Sequence, residues 1–155
     1  MMQPYDRGRQ ALKKFLLAGL GVLALGGVSV AFAQDDVIAQ RRAGLKRMGE
    51  HMTAMKTVAD ARGPGAHFSG TIDEMINFYQ GLPARFPAGS GTGDTKALPT
   101  IWSDNAGLVT AANDTVAKLQ ALRVASTTGD GAAFQSAWQA VGPTCGTCHR
   151  TYRAR

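Results

Sequence analysis

From residue 36 to the C-terminus, apolar side chains recur every three or four positions, the pattern of helices that each bury one stripe. In the first segment, about Asp36 to Arg62, Ile38, Leu45, Met48, Met52, Met55 and Ala59 follow at intervals of 7, 3, 4, 3 and 4. That seam has one polar gap, at Arg41 or Arg42, and Asp35 or Asp36 is placed to cap the helix. Gly63-Pro64-Gly65 breaks it. A second segment opens at Thr71 with the capping box Thr71-x-x-Glu74 and ends near Leu82-Pro83, with Ile72, Ile76 (or Met75) and Tyr79 on its apolar face.

A Gly/Pro-rich connection, Pro83 to Leu98, follows; its length suits a crossover between distant helix ends or a cover over a ligand. The third segment starts at Pro99 and runs to about Ser126, with Trp102, Ala106, Val109, Ala112, Val116 and Leu119 as its seam. Thr127-Thr128-Gly129 ends it, and Asp130 is placed to cap the fourth. There Phe134, Trp138, Val141, Cys145, Cys148 and Tyr152 repeat at 4, 3, 4, 3 and 4, and Gly142-Pro143 predicts a kink. Four helices with one seam each predict an all-α fold, an antiparallel four-helix bundle, whose cofactor sites lie between facing helices.

The residues before the first seam have a different character. Arg7, Arg9, Lys13 and Lys14 precede an apolar run from Phe15 to Val30, and Ala31-Phe32-Ala33 has the small-x-small form of a cleavage site. Residues 1–33 read as a secretory signal peptide cut after Ala33, leaving a single domain over 34–155. An uncleaved anchor is the competing reading; the small residues and the polar continuation argue against it. The leader holds four of the 17 basic and one of the 11 acidic side chains, which leaves 13 against 10. The mature domain is thus close to neutral, without the basic run of a nucleic-acid surface.

The fourth seam carries the candidate chemistry. Cys145-Gly146-Thr147-Cys148-His149 places two thiols on one helical face, followed at once by an imidazole, the attachment signature of a c-type haem. Each thiol can add to one vinyl group, and His149 offers a ring nitrogen as the axial iron ligand. These are the only two cysteines, so a structural zinc site lacks two ligands. A thioredoxin-like pair needs a strand before it. A disulfide between adjacent helical turns would constrain almost nothing. One covalently bound haem c is therefore the expected cofactor. The thiols sit on the core seam, so the porphyrin belongs inside the bundle.

An attachment motif closing a four-helix bundle, after an exported leader, resembles the class II c-type cytochromes, the cytochrome c′ family. The likeness spans the mature chain. It includes Arg41-x-x-x-Leu45-x-x-Met48, Leu98-Pro99-x-x-Trp102-Ser103, Thr128-Gly129-Asp130 and Cys145-x-x-Cys148-His149-x-x-Tyr152-Arg153. In the electron-transfer branch of that family a methionine stands four residues after the arginine as sixth ligand; here that residue is Leu45. The resemblance therefore implies a five-coordinate, high-spin haem in the periplasm that binds nitric oxide or carbon monoxide and limits nitrosative stress. An apolar distal wall offers no donor to dioxygen, and these two gases need one less.

The alternative is a low-spin electron-transfer cytochrome with Met48 as sixth ligand and redox proteins as partners. The family also implies Arg41 or Arg42 near a haem propionate, Arg153 beside His149, and a homodimer through the first two helices. Trp102 and Tyr152 complete the expected pocket. No paired-carboxylate or Ser-His-Asp arrangement suggests an enzyme, and no stable membrane insertion is expected once the leader is removed.

Overall fold

The first seam forms as the spacing requires. A computed structural model describes the backbone of residues 26–155 and the side chains of 35–155. Most of the proposed leader lies outside the described residues. Helix α1 spans Gly26–Asp60, so it continues upstream through Asp35 and Asp36 and neither caps it in the full chain. Ile38, Met48, Met55 and Ala59 are buried, and Leu45 and Met52 are half-buried along the same stripe. The polar gap is Arg41, which is only 2% exposed, whereas Arg42 faces outward. Arg62 takes a left-handed φ of 52° as the chain leaves the helix.

Helix α2 covers Ser69–Gln80 and buries Ile72, Met75 and Phe78. It starts two residues before Thr71, straight out of a short 3-10 turn at Ala66–Phe68, so the expected capping box does not exist. Glu74 points instead at α1, where its carboxylate lies 2.7 Å from Arg47 and 3.3 Å from His51 Nε2. A Cβ at Gly44 would overlap the Phe78 ring, so that glycine lets the two helices cross closely.

The third segment is not one helix. A single turn, α3 (Thr100–Ser103), stops at Asp104, and α4 (Asn105–Thr127) starts anew with Asp104 Oδ1 accepting the Gly107 N–H at 3.0 Å. The break resets the register, so Ala106 and Val109, placed on the seam by a continuous-helix reading, are exposed. Ile101, Leu108, Thr115 and Leu122 face the core beside the expected Ala112, Val116 and Leu119. Helix α5 (Gly131–Tyr152) is capped by Asp130 as expected and runs unbroken through Pro143. Pro143 has no N–H to offer the exposed Gln139 carbonyl, which solvent can satisfy.

Together α1, α2, α4 and α5 make the antiparallel four-helix bundle. Its core runs from Met55, Ala59 and Phe134 at one end to Leu82, Phe86 and Ile101 at the other. The connection from Pro83 to Leu98 returns along the second end and joins the chain terminus. There the Ala154 N–H donates to Lys96 O at 2.8 Å and the Leu98 N–H to Tyr152 O at 2.9 Å. Among the described residues no helix is long and apolar enough to cross a membrane.

Candidate functional site

At the end of the bundle where the crossover meets the C-terminus, the helices part around a cavity of about 1000 Å³. Side chains of α1 (Leu45, Met48, Met52) and α4 (Leu108, Ala112) make its walls largely apolar. Helix α5 presents Cys145, Cys148 and His149 to it. Both thiols are free and half-buried on one face of the helix, and His149 stands at the rim.

Burial sets the protonation of two of the three motif side chains. Burial, and then the neighbouring Cys145, push the Cys148 thiol up. His149 is held below the ordinary imidazole range by partial burial and by the adjacent Arg153 cation, which favours the neutral ring that binds metals. Among the described residues no three His, Cys, Asp or Glu side chains converge on a metal-sized site. A zinc reading therefore has no ligand set in the described part of the chain. A flat, mostly apolar molecule with two reactive vinyl groups and one metal fits this cavity, its paired thiols and its lone imidazole.

The expected pocket residues separate into those that reach the cavity and one that does not. Leu45, Met48, Tyr152, Arg153, Arg41 and Arg42 all border it. Trp102 does not: it stands behind the wall, its indole N–H shared between Phe86 O at 3.1 Å and Pro87 O at 3.0 Å. This corrects its assignment to the haem pocket; the ring is spent holding the crossover. Arg153 ends α5 in an extended conformation (φ −124°, ψ 130°), so it meets His149 from the cap and not from the next helical turn. His51 faces Glu74 and does not border the cavity.

Arg41 is more constrained than a cation waiting for a propionate. Its guanidinium donates to Ser90 Oγ, Ser90 O and Thr95 Oγ1, each at 2.7 Å, and lies 4.8 Å from the centre of the Phe86 ring. Burial alone lowers its pKa from the usual value. Arg42, exposed at the rim, pairs with Asp94. One member of the site escaped sequence reasoning as a polar group. Tyr79, read as part of an apolar stripe, borders the cavity, where burial and then the neighbouring Cys145 hold its phenol well above the ordinary range.

Comparison with known proteins agrees with this arrangement. The family model described as cytochrome C′ matches residues 36–153. A cytochrome c′ of Rhodopseudomonas palustris is 40% identical over 147 residues, covering 90% of this chain and 94% of that protein. A solved structure of cytochrome c′ from the same species superposes with a TM-score of 0.68 at 34% identity, over 77% of this chain and 97% of the other. Variants of Alcaligenes xylosoxidans cytochrome c′, in complexes with nitric oxide and with carbon monoxide, superpose with a TM-score of 0.70 at 25% identity, over 79% and 97%.

Proposed function

The chain belongs to the cytochrome c′ family and carries covalently bound haem c, and on that footing we propose a periplasmic gas-binding protein whose haem keeps one axial position open. Cys145 and Cys148 supply the thioether sulfurs and His149 the axial nitrogen, an assignment supported by their shared face on the cavity. When bound, the haem supplies an iron that takes small diatomic ligands. The chain's part is to shape and dry the space around it.

The observation that carries this reading is Leu45. It borders the cavity, it stands four residues after Arg41, where the family resemblance puts a sixth-ligand methionine, and its side chain has no atom that can coordinate. Met48, one turn on, also borders the cavity, but it is 2% exposed and belongs to the core cluster with Met55 and Met75, the usual role of a seam methionine, which disfavours the six-coordinate alternative. The complexes of the Alcaligenes xylosoxidans variants support nitric oxide and carbon monoxide as ligands. Residues 1–33 export the chain and are removed after Ala33, and the mature protein works as a homodimer that limits nitrosative stress. It acts by binding and not by turnover.

An absorption spectrum of the mature holoprotein tests the core of this. A high-spin ferrous spectrum that changes on adding carbon monoxide is expected. A methionine–sulfur band in the ferric form, with no response to carbon monoxide in the ferrous form, would reject the open position.

A further inference from the structure

We propose that α3, the single turn between the crossover and α4, is a positioning clamp for the axial ligand, with Thr100 and Asp104 as its two jaws. The proposal rests on the reading of His149 as the axial ligand of an open-position haem. A histidine that ligates a metal is usually oriented through its second ring nitrogen, which donates to a carboxylate, a carbonyl or water. Among the described residues no protein group accepts a hydrogen bond from the His149 ring; the side-chain bonds of its turn are made by Arg150, Thr151 and Tyr152. Arg153, the charged neighbour at the rim, is a cation with no acceptor to offer. The direction of the ring is therefore set by the backbone turn that carries it.

That turn is held from outside α5. The last carbonyls of a helix have no partner within it and must be satisfied elsewhere. His149 O accepts the Arg153 N–H at 3.2 Å, the bond that closes the helix. Beyond it, Thr151 O accepts the Thr100 hydroxyl at 3.0 Å and Tyr152 O accepts the Leu98 N–H at 2.9 Å. The Tyr152 phenol in turn donates to Asp104 Oδ2 at 2.7 Å. Residues at both ends of α3 thus grip Thr151 and Tyr152, the second and third residues after His149. The clamp is itself anchored. Ile101 is 3% exposed and forms part of the cavity wall, and Trp102 is pinned to the carbonyls of Phe86 and Pro87. The break at Asp104 therefore serves the attachment helix as well as α4.

The test is the iron–histidine stretching vibration of the ferrous, ligand-free mature holoprotein, recorded by resonance Raman for wild type, Thr100→Val, Thr100→Ser, Tyr152→Phe and Asp130→Ala. Thr100 does not border the cavity, so its substitution reaches the iron through the Thr151 carbonyl and the turn. Thr100→Val, which keeps the shape and loses the donor, is expected to broaden the band and move it to lower frequency. Thr100→Ser keeps the hydroxyl and should retain the wild-type band. Asp130→Ala removes the N-cap at the far end of α5 and should leave the band in place, which separates positioning from a general loss of stability. Should Thr100→Val fail to load haem, Tyr152→Phe, which opens the Asp104 side of the clamp, decides in its place. A band of unchanged position and width in Thr100→Val, or an equal shift in Asp130→Ala, overturns the proposal while leaving the open position intact. A wild type with no iron–histidine band and no response to carbon monoxide overturns both.

Discussion

Tyr152 donates a hydrogen bond of 2.7 Å to Asp104 Oδ2, while Asp104 Oδ1 accepts the Gly107 N–H that opens α4. One carboxylate therefore ties the last residue of the attachment helix to the start of the neighbouring helix, three residues beyond His149. Space for this is made by Gly107, where a Cβ would overlap both Asp104 Oδ2 and Tyr152 Oη. Asp104→Ala removes a cap and a charge-assisted hydrogen bond together and is expected to cost about 2–4 kcal/mol in urea unfolding. Asp104→Asn, which keeps an acceptor, should cost clearly less; equal losses would count against the charged bond.

The same contact predicts a response to alkali. Burial, and then Asp104, push the Tyr152 phenol up to about 12 from its ordinary value of 10.0. Above the unfolded value the unfolded chain has released a proton that the native state retains, so the native state is progressively disfavoured. The contribution is fully present below about pH 10 and is lost as pH rises toward 12. Urea midpoints measured across that interval should fall more steeply for wild type than for Tyr152→Phe. Parallel curves would show that Tyr152 carries no such linkage.

Arg41 predicts a different failure. It reaches from α1 to the crossover and leaves Ser90 and Thr95 with buried polar atoms if removed. Arg41→Met is expected to destabilise by about 2–4 kcal/mol, because hydrogen bonds from a charged donor are lost and buried acceptors are left unpaired. It should also open the Gly89–Gly93 stretch to limited proteolysis. Arg41→Lys keeps the charge but not the planar fork, so it should recover only part of the loss. Proteolysis unchanged in both variants would mean that the crossover is held by Trp102 and the C-terminal bridge alone.

Much of this was legible in the chain because helix seams obey one period. The stripe from Ile38 to Ala59 and that from Phe134 to Tyr152 are where 3.6-residue geometry puts them, and Asp130 caps as its position suggests. The errors share a cause: side chains chose long-range partners over local ones. Glu74 bonds Arg47 across helices and not its own N-terminus. Asp104 interrupts the third segment because it serves Gly107 and Tyr152, which a continuous-helix pattern could not register. Trp102 has the right spacing for the pocket yet is drawn away by two carbonyls of the crossover. Tyr79 was visible as an apolar face residue, but that it borders the cavity depends on where α2 packs in the bundle.

At the opposite end of the bundle, two adjacent residues should differ sharply. Asp130 Oδ1 accepts the Ala132 and Ala133 N–H groups at 2.9 and 3.1 Å. Asp130→Ala is expected to cost about 1 kcal/mol, the usual loss of an N-cap. Gly131 sits against backbone, and a Cβ there would overlap Arg62 O and C. Neither atom is the end of a flexible side chain, so Gly131→Ala must move one chain segment and should cost more than the cap. The reverse order in thermal unfolding would show that the Arg62–Gly63 turn yields easily.

The last prediction bears on what the haem does. Leu45 borders the cavity four residues after Arg41, on the helix that supplies the wall facing the attached porphyrin. Leu and Met are close in volume, so Leu45→Met places a thioether at that wall with little repacking, at a cost of less than about 1.5 kcal/mol. Gly44 beside it fixes the approach of α1 to Phe78, which keeps the new side chain from being carried away by a helix shift. The variant should turn toward low spin, show a methionine–sulfur absorption in the ferric form, and bind carbon monoxide more weakly because the ligand must displace sulfur. Met48→Leu, in contrast, should leave the spectrum unchanged, since that methionine, though it borders the cavity, is committed to the core cluster. If Leu45→Met stayed high-spin while Met48→Leu altered the spectrum, the ligand side would belong to Met48, and the electron-transfer reading would replace gas binding.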